Sequence, residues 1–379
     1  MLAHFAHHLL TALPIPLLPM IRRDFDLDYT QAGLVISAFT LAYGLSQLPA
    51  GWLADYIGRR IMITIGIAGV ALAGLMVGLS QTYIMVMIFL VLMGFMGGGY
   101  HPAAPPMISE SVQPERRGWA LGLHMIGGSA SYFLAPLIAA AIAVSWGWRG
   151  SFVTLAAPTL IFGIVMYIIL GRLAGARRAK HDKVNIESQA QPVPKHMRHL
   201  ASFMAMSMLI HAITLSVVAF IAVFLVDHFS VAEGAAAAFI ALIYSAGLWA
   251  SPLGGYLSDR LGAVTMVLAV GFIAGPAIYL LGLIPFGVGI GALMLIIGMT
   301  MYVRMPVAEA YIVKQTSERN RSAVLGINAF GGMEGAGVLT PVLGLIIDRY
   351  GFYVGFTIAG AAVFLTTIIG CIMLRGHRG

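Results

Sequence analysis

The chain has 379 residues, of which 59% are hydrophobic and only 10% are charged. A soluble domain of this size carries far more charge on its surface, so the composition excludes an ordinary soluble protein and indicates a membrane protein. The net charge of +7 does not indicate nucleic-acid binding, because the basic residues lie in short loops between apolar runs.

Apolar runs of about 20 residues, the length of a helix that crosses a bilayer, recur along the whole chain. The sequence therefore predicts an all-α integral membrane protein with twelve transmembrane helices. No cleavable signal peptide is expected, since no basic region precedes the first run. The single cysteine, Cys371, excludes a disulfide bond within the chain. The predicted spans are 1–21, 29–55, 60–80, 83–109, 118–144, 149–171, 200–226, 232–258, 262–283, 286–312, 321–346 and 350–374.

Most lysines and arginines lie in the loops that follow the even-numbered spans. The opposite loops hold four arginines, Arg22, Arg23, Arg149 and Arg349. Positive charge is retained on the cytoplasmic side of membranes, so the loops after even-numbered spans are expected to be cytoplasmic. The sequence thus predicts a multi-pass protein of the cell (plasma or inner) membrane with both termini in the cytoplasm.

A polar, basic stretch at 172–199 divides the chain. It contains Gln189, Pro192 and Pro194, a composition typical of a linker. A solvated tether is favoured here over a segment that touches anionic lipid. The predicted domains are an N-terminal six-helix bundle at 1–171, a cytoplasmic linker at 172–199 and a C-terminal six-helix bundle at 200–379.

The two halves are internal repeats with a constant offset of 204 residues. The same offset holds in regions far apart along the chain, which indicates a duplicated six-helix unit. Pairs related by this offset include Asp55 with Asp259, His7 with His211, Pro102 with Pro306, and Gly147 with Gly351.

A charged loop follows predicted span two and reads GWLADYIGRR from Gly51 to Arg60. Its residues Gly51, Leu53, Asp55, Gly58, Arg59 and Arg60 match the signature G-x-L-x-D-x-x-G-R-R/K of the major facilitator superfamily. The chain resembles this family over its whole length. The resemblance implies two six-helix halves around a central cavity that transports solutes by alternating access.

The resemblance also implies a gate at this loop. In the family the aspartate latches the cytoplasmic side of the outward-open state, so Asp55 is expected to accept backbone N–H groups near Arg321 to Val324. Arg59 and Arg60 are expected to bridge to Glu110. The alternative is that these charges only set the topology.

A second copy of the loop carries Asp259 and Arg260. It has Ala263 and Val264 where the first copy has Arg59 and Arg60, so a weaker gate is expected there.

Span four resembles a particular branch of the family. The run Gly97-Gly98-Gly99-Tyr100-His101-Pro102 is similar to the fosmidomycin-resistance-like branch, in which a His-Pro pair follows glycines in this span, and the drug-efflux branches are the other resemblance. Drug–proton antiporters have an arginine at the position of Met93, and Ala135 replaces the glycine of their Gly-Pro motif. Both departures count against a drug antiporter.

Ionisable residues at membrane depth are costly and are functional candidates by default. Arg304 lies about 14 Å from the cytoplasmic end of predicted span ten, near the bilayer midplane. It is expected either to contact a substrate anion or to form a static ion pair with Glu334 in span eleven. Burial of Glu334 favours its protonated form, which suits proton exchange.

Histidines form a further group of candidates. The resemblance implies that spans one, four, seven and ten line the cavity, which favours His7, Tyr100, His101 and His211, whereas His124 is a second candidate for proton coupling. The alternative for each histidine is a hydrogen-bonded packing role. Among His7, His8, His101, His124 and His211 no pair is expected to bind metal, and no metal or cofactor is expected.

The predicted function is secondary active transport of a small organic solute, anionic or polar, coupled to protons. The alternatives are an uncoupled facilitator and a transporter-like receptor or assembly factor that moves nothing. The sequence has no nucleotide loop or nucleophile elbow, so no enzyme is expected. The expected partners are a small-molecule substrate, protons and the lipid bilayer, without nucleic acid, and the expected oligomeric state is a monomer.

Overall fold

The structure is a computed structural model that describes residues 1–178, 197–316 and 318–374. The regular structure of these residues is helical. The elements in chain order are α1 (Leu2–Thr11), α2 (Pro14–Asp24), α3 (Tyr29–Ile57), α4 (Arg59–Thr64), a π-helical turn (Ile65–Gly69), α5 (Val70–Gly78), α6 (Tyr83–Gly97), α7 (Tyr100–Ser109), a 3-10 turn (Pro114–Arg116), α8 (Arg117–Arg178), α9 (Met197–Phe229), α10 (Glu233–Leu261), α11 (Ala263–Leu281), α12 (Val288–Gln315) and α13 (Glu318–Met373).

These helices account for the twelve predicted spans, and the all-α membrane fold is confirmed. Span one is broken into α1 and α2, span three contains the π-helical turn, and span four is divided into α6 and α7. Helix α8 holds spans five and six, and α13 holds spans eleven and twelve. Within the described residues, nine helical stretches are long and apolar enough to cross a membrane, and those in α8 and α13 extend over 56 and 50 residues.

The repeat is visible in the backbone. Gly147 and Gly351, where α8 and α13 turn, have φ angles of 67° and 79°. Gly58 and Gly262, in the two copies of the charged loop, have φ angles of 97° and 85°. L-residues with a side chain rarely adopt these values, so glycine is needed at the same positions of both halves.

Close helix packing follows the same repeat. A Cβ atom on Gly94 would collide with the carbonyl oxygen of Phe39, and one on Gly298 would collide with the carbonyl oxygen of Ile243. Both pairs are related by the 204-residue offset. Small residues let the backbones of membrane helices approach closely, so α3 meets α6 as α10 meets α12.

Replacement of Gly94 by leucine is expected to destabilise the protein, because the added side chain meets backbone that cannot rotate away. Overpacking of this kind costs roughly 1–3 kcal/mol or more. Thermal unfolding in detergent, followed by intrinsic fluorescence, measures the loss. Gly122→Ala is the control, since a Cβ atom there meets nothing within 4 Å. Equal melting temperatures for Gly94→Leu and the parent would contradict this packing.

The chain forms two compact units. Unit one comprises Met1–Pro14 and Ala38–Gln189, and unit two comprises Ile15–Ser37 and Ala190–Gly379. The segment Ile15–Ser37 belongs to the predicted N-terminal domain by chain order but packs within unit two. The predicted linker lies largely outside the described residues, and the domain boundaries at 172–199 stay a prediction.

Asp348 holds the start of α3 within unit two. Its carboxylate accepts hydrogen bonds from the backbone N–H groups of Tyr29 and Thr30, both at 2.8 Å, and from the Thr30 hydroxyl at 2.6 Å. Arg22 and the Tyr29 hydroxyl both bind Asp227 at 2.8 Å. A carboxylate at a helix N-terminus satisfies free N–H groups and complements the helix dipole.

Asp348→Asn is expected to lower the free energy of unfolding by about 1–2 kcal/mol, because a neutral amide replaces an anion that accepts three hydrogen bonds. A melting curve in detergent measures this difference. Asp26→Asn is the control, since Asp26 is exposed and has a positive φ that asparagine tolerates. If both variants melt like the parent, the Asp348 contact does not stabilise α3.

Candidate functional site

Arg304 is the most deeply buried cation of unit two described in the structure. It lies on α12 with 5% of its surface exposed. Its Nη1 atom donates to the Ser207 hydroxyl of α9 at 2.8 Å, and the Ser207 carbonyl oxygen is 3.5 Å away. A guanidinium group has five N–H donors, so one serine satisfies only part of its hydrogen-bonding capacity.

Arg304 lines a small, partly open pocket formed by residues of α9, α11 and α12, with about 160 Å³ of empty space including its mouth. Two polar atoms of the lining residues, Nε of Arg304 and Nδ1 of His211, are buried and have no hydrogen-bond partner among the described residues. Buried polar atoms are normally paired, so these two atoms mark a place where a polar ligand would be stabilised. The lining residues are Ile210, His211, Thr214, Val270, Thr300, Met301 and Arg304.

The corresponding region of unit one is closed by internal contacts. By the 204-residue offset, His7 and Tyr100 stand where His211 and Arg304 stand in the second half. Nδ1 of His7 is 2.7 Å from the Gly66 carbonyl oxygen of the π-helical turn, and Nε2 is 3.1 Å from the Tyr43 hydroxyl. The Tyr100 ring stacks on His7 with a centroid distance of 4.4 Å.

The two halves therefore differ in the polar atoms that are available to a ligand. Both ring nitrogens of His7 have protein partners, which favours the packing role that the sequence left open for it. The residues corresponding to its partners Gly66 and Tyr43 are Val270 and Gly247. Gly247 has no hydroxyl group to offer His211, and the second half carries a cation where the first carries Tyr100.

The carboxylates near Arg304 are Glu309 and Glu334. Glu309, five residues further along α12, interacts electrostatically with Arg304. Glu334 is half-buried on α13. The contacts described for Arg304 are with Ser207, so its pairing with Glu334 stays a prediction.

Four further histidines of unit one lie together. The His4 ring stacks on His124 with centroids 4.1 Å apart, and it lies 4.8 Å from His8 and 5.3 Å from His101. His4 is not among the predicted site residues, although it stands four residues before His8 on one helix. This i,i+4 spacing was the signal that would have found the cluster.

The charged loop after α3 holds one of the expected bridges. Arg59 forms an ion pair with Glu110, and a longer contact of 3.9 Å with Asp55. Arg60 lies elsewhere, with its guanidinium 3.7 Å from the centroid of the Tyr167 ring. A stacked aromatic ring attracts the cation, so Arg60 contacts α8 rather than the predicted Glu110.

The expected contact between Asp55 and the residues around Arg321 lies outside the described part of the chain. In the second copy, Arg260 lies 4.4 Å from the centroid of the Tyr256 ring. The gate roles of Asp55 and Asp259 stay predictions.

Comparison with known proteins identifies relatives of one kind. The family model described as Major Facilitator Superfamily matches residues 1–303 and again 204–378. The probable L-galactonate transporter of Escherichia coli (strain K12) is 29% identical over 149 residues, which is 39% of this chain and 33% of that protein. Multidrug resistance protein MdtG of Rahnella sp. (strain Y9602) is 24% identical over 355 residues, 92% of this chain and 85% of that protein.

Solved structures show the same fold. The crystal structure of a POT family transporter in complex with 5-aminolevulinic acid has a TM-score of 0.81, at 13% identity, and the match covers 98% of this chain and 94% of that one. Identity at this level carries information about the fold alone.

Proposed function

Because this chain belongs to the Major Facilitator Superfamily, we propose that it moves a small organic anion or polar solute across the membrane by alternating access, coupled to protons. Its relatives are membrane transporters and not enzymes, and the chain is a multi-pass membrane protein.

The buried Arg304 in its cavity is the observation that carries this proposal. The buried guanidinium group has lost most of its hydration and has one described hydrogen-bond partner, Ser207. A carboxylate or phosphate matches the guanidinium fork with two parallel hydrogen bonds, which are stronger than bonds between neutral groups. His211 and the hydroxyl groups of Thr214 and Thr300 add polar contacts for the remainder of a solute.

Charge favours a small anion over a cationic drug. The guanidinium group of Arg304 repels a cation and attracts a carboxylate or phosphate. One relative is named for a sugar acid, L-galactonate, which carries a carboxylate at neutral pH. The relatives named for multidrug resistance leave a cationic solute as the competing class.

For the coupling, we propose that solute and Glu334 compete for Arg304. With the cavity empty, the Arg304 charge stabilises ionised Glu334. When an anion binds Arg304, Glu334 loses that stabilisation and takes up a proton. Proton and solute then favour each other's binding, as reciprocal coupling requires. His124 is the second candidate for the proton, and Glu309 competes with Glu334 because it also interacts with Arg304.

A thermal-shift screen of purified protein tests the solute class. The probes are carboxylates, L-galactonate among them, and cationic antimicrobials, at about pH 5.5 and about pH 8. Carboxylates are expected to stabilise the protein, by about 2.7 kcal/mol at a hundred times their Kd. Stabilisation by cations alone would overturn the assignment to anions.

The orientation is tested by labelling. We propose that the linker and both termini are cytoplasmic, as the loop charges indicate. Cysteines placed at Ser188 and at Gln81, in a chain with Cys371 replaced, are expected to react with an impermeant maleimide from opposite sides of the membrane. Reaction from the same side would contradict the arrangement of spans.

A further inference from the structure

A cluster of histidines in unit one has no role in the anion site proposed at Arg304. His4 and His8 on α1 and His101 on α7 each offer one ring nitrogen, and these nitrogens lie within 4.8 Å of one another. We propose that the three side chains bind one divalent transition-metal ion of the class that includes Zn²⁺, Co²⁺ and Ni²⁺.

The helix α1 places two of the ligands on one face. His4 and His8 are four residues apart, which is one turn of an α-helix, and their ring centroids are 4.8 Å apart. His101, from a helix distant in sequence, lies 5.3 Å from both rings. Two ligands from one helix turn and a third from another helix define a point that all three rings can face.

The hydrogen bonds of His4 prepare it for metal binding. Its Nδ1 is 2.9 Å from the carbonyl oxygen of His124. A carbonyl oxygen can only accept, so Nδ1 carries the proton and Nε2 keeps a lone pair. That Nε2 atom is buried and has no hydrogen-bond partner among the described residues. Metal-binding histidines typically donate their other ring N–H to a carboxylate or a backbone carbonyl, as His4 does here.

His8 has a similar arrangement. Its Nδ1 lies 3.1 Å from the Thr11 hydroxyl, and when Nδ1 donates to that oxygen, Nε2 keeps its lone pair for an ion. His101 is half-buried, whereas His4 and His8 are 2% and 5% exposed. The three ligands therefore combine two rings fixed in the helix packing with one at a more accessible position.

His7 shows what a packing histidine of the same helix is like. Both of its ring nitrogens have protein partners, Gly66 and Tyr43. It has no lone pair left for an ion, so the proposed site excludes it although it is a neighbour of the other rings.

The ligand chemistry selects the metal class. Among the described residues, the ligand atoms that come together are all imidazole nitrogens. Imidazole suits zinc, copper, iron and nickel, whereas magnesium and calcium require oxygen ligands. Zinc–nitrogen bonds of about 2.0–2.1 Å put the nitrogens of a tetrahedral site about 3.3 Å apart, so the rings must move inward by about 1 Å. Three histidines leave a fourth position for water or an anion.

Calorimetric titration of the purified full chain with Zn²⁺ tests the site. The protein carries no affinity tag, and His181, His196, His199 and His377 are replaced by glutamine to remove competing ligands. We expect one Zn²⁺ per chain, with Mg²⁺ as a probe that does not bind. His4→Gln, His8→Gln and His101→Gln are each expected to weaken Zn²⁺ binding by more than about tenfold, while His7→Gln leaves it unchanged.

Co²⁺ gives a second readout that needs no variant. Bound to the parent chain, it is expected to show the intense visible absorption of a four-coordinate site, and added Zn²⁺ is expected to remove that absorption. The proposal is overturned if the parent binds no Zn²⁺ with saturation, or if His7→Gln, folded by its melting curve, loses as much affinity as His8→Gln.

Discussion

Replacement of Arg304 by methionine is expected to abolish binding and transport of the anionic solute while the protein stays folded. Hydrogen bonds to charged groups contribute about 1.5–3 kcal/mol each, so loss of a two-bond fork corresponds to at least about a 100-fold weaker Kd. The melting temperature should fall at neutral pH, because Glu334 loses its counter-charge, and it should fall less at about pH 5.5, where Glu334 is protonated.

Two further variants sharpen this prediction. Arg304→Lys keeps the charge but not the planar fork, so an intermediate loss of affinity is expected. Ser207→Ala removes the described partner of Arg304 and leaves the guanidinium for the solute, so its effect should be only a few-fold, or about 1 kcal/mol. Isothermal titration with the most stabilising carboxylate measures all three. Undiminished binding by a folded Arg304→Met would exclude Arg304 from the site.

Replacement of Glu334 by glutamine is expected to abolish the proton dependence of transport. In the parent, solute binding should tighten as pH falls between about pH 8 and about pH 5.5, because protonated Glu334 and bound anion favour each other. Glutamine is neutral at every pH and resembles the protonated carboxyl group. The variant should therefore bind solute with an affinity that does not change with pH, and it should not accumulate solute against a gradient.

Glu309→Gln is the matched comparison, since Glu309 is the other carboxylate that acts on Arg304. It should retain the pH dependence if Glu334 carries the proton. Affinity measured across the pH range, together with uptake driven by a proton gradient, separates the two. If Glu334→Gln keeps a proton-driven flux like that of the parent, Glu334 is not the coupling residue, and Glu309 or His124 becomes the better candidate.

The helices could be predicted from the sequence because bilayer thickness sets the length of apolar runs. The repeat also helped, since each helix of the first half has a counterpart in the second. The breaks at Gly147 and Gly351 follow from that repeat. The place of Arg304 near the middle of α12 could be predicted for the same reason, since the ends of the apolar run are read from the sequence.

The details of the site could not be predicted, because they depend on contacts between distant residues. His7 and His211 are equivalent in sequence, yet a π-helical turn and Tyr43 provide partners for His7 only. Arg59 and Arg60 are neighbours in the charged loop, yet Arg59 pairs with Glu110 whereas Arg60 lies over the Tyr167 ring of α8. The pair His4 and His8 was missed although its i,i+4 spacing is in the sequence, and the approach of His101 from α7 depends on tertiary packing.

Solute-driven proton movement in proteoliposomes tests the central claim most directly. The protein is reconstituted with a pH-sensitive dye inside the vesicles, and the carboxylate that stabilises it most is added outside. We predict that the interior acidifies as solute enters through the parent protein, that neither solute nor protons move with Arg304→Met, and that solute moves without protons in Glu334→Gln. Solute entry through the parent without acidification would show an uncoupled facilitator, and the absence of flux for every stabilising solute would show a protein that does not transport; either result contradicts proton-coupled transport through the Arg304 cavity.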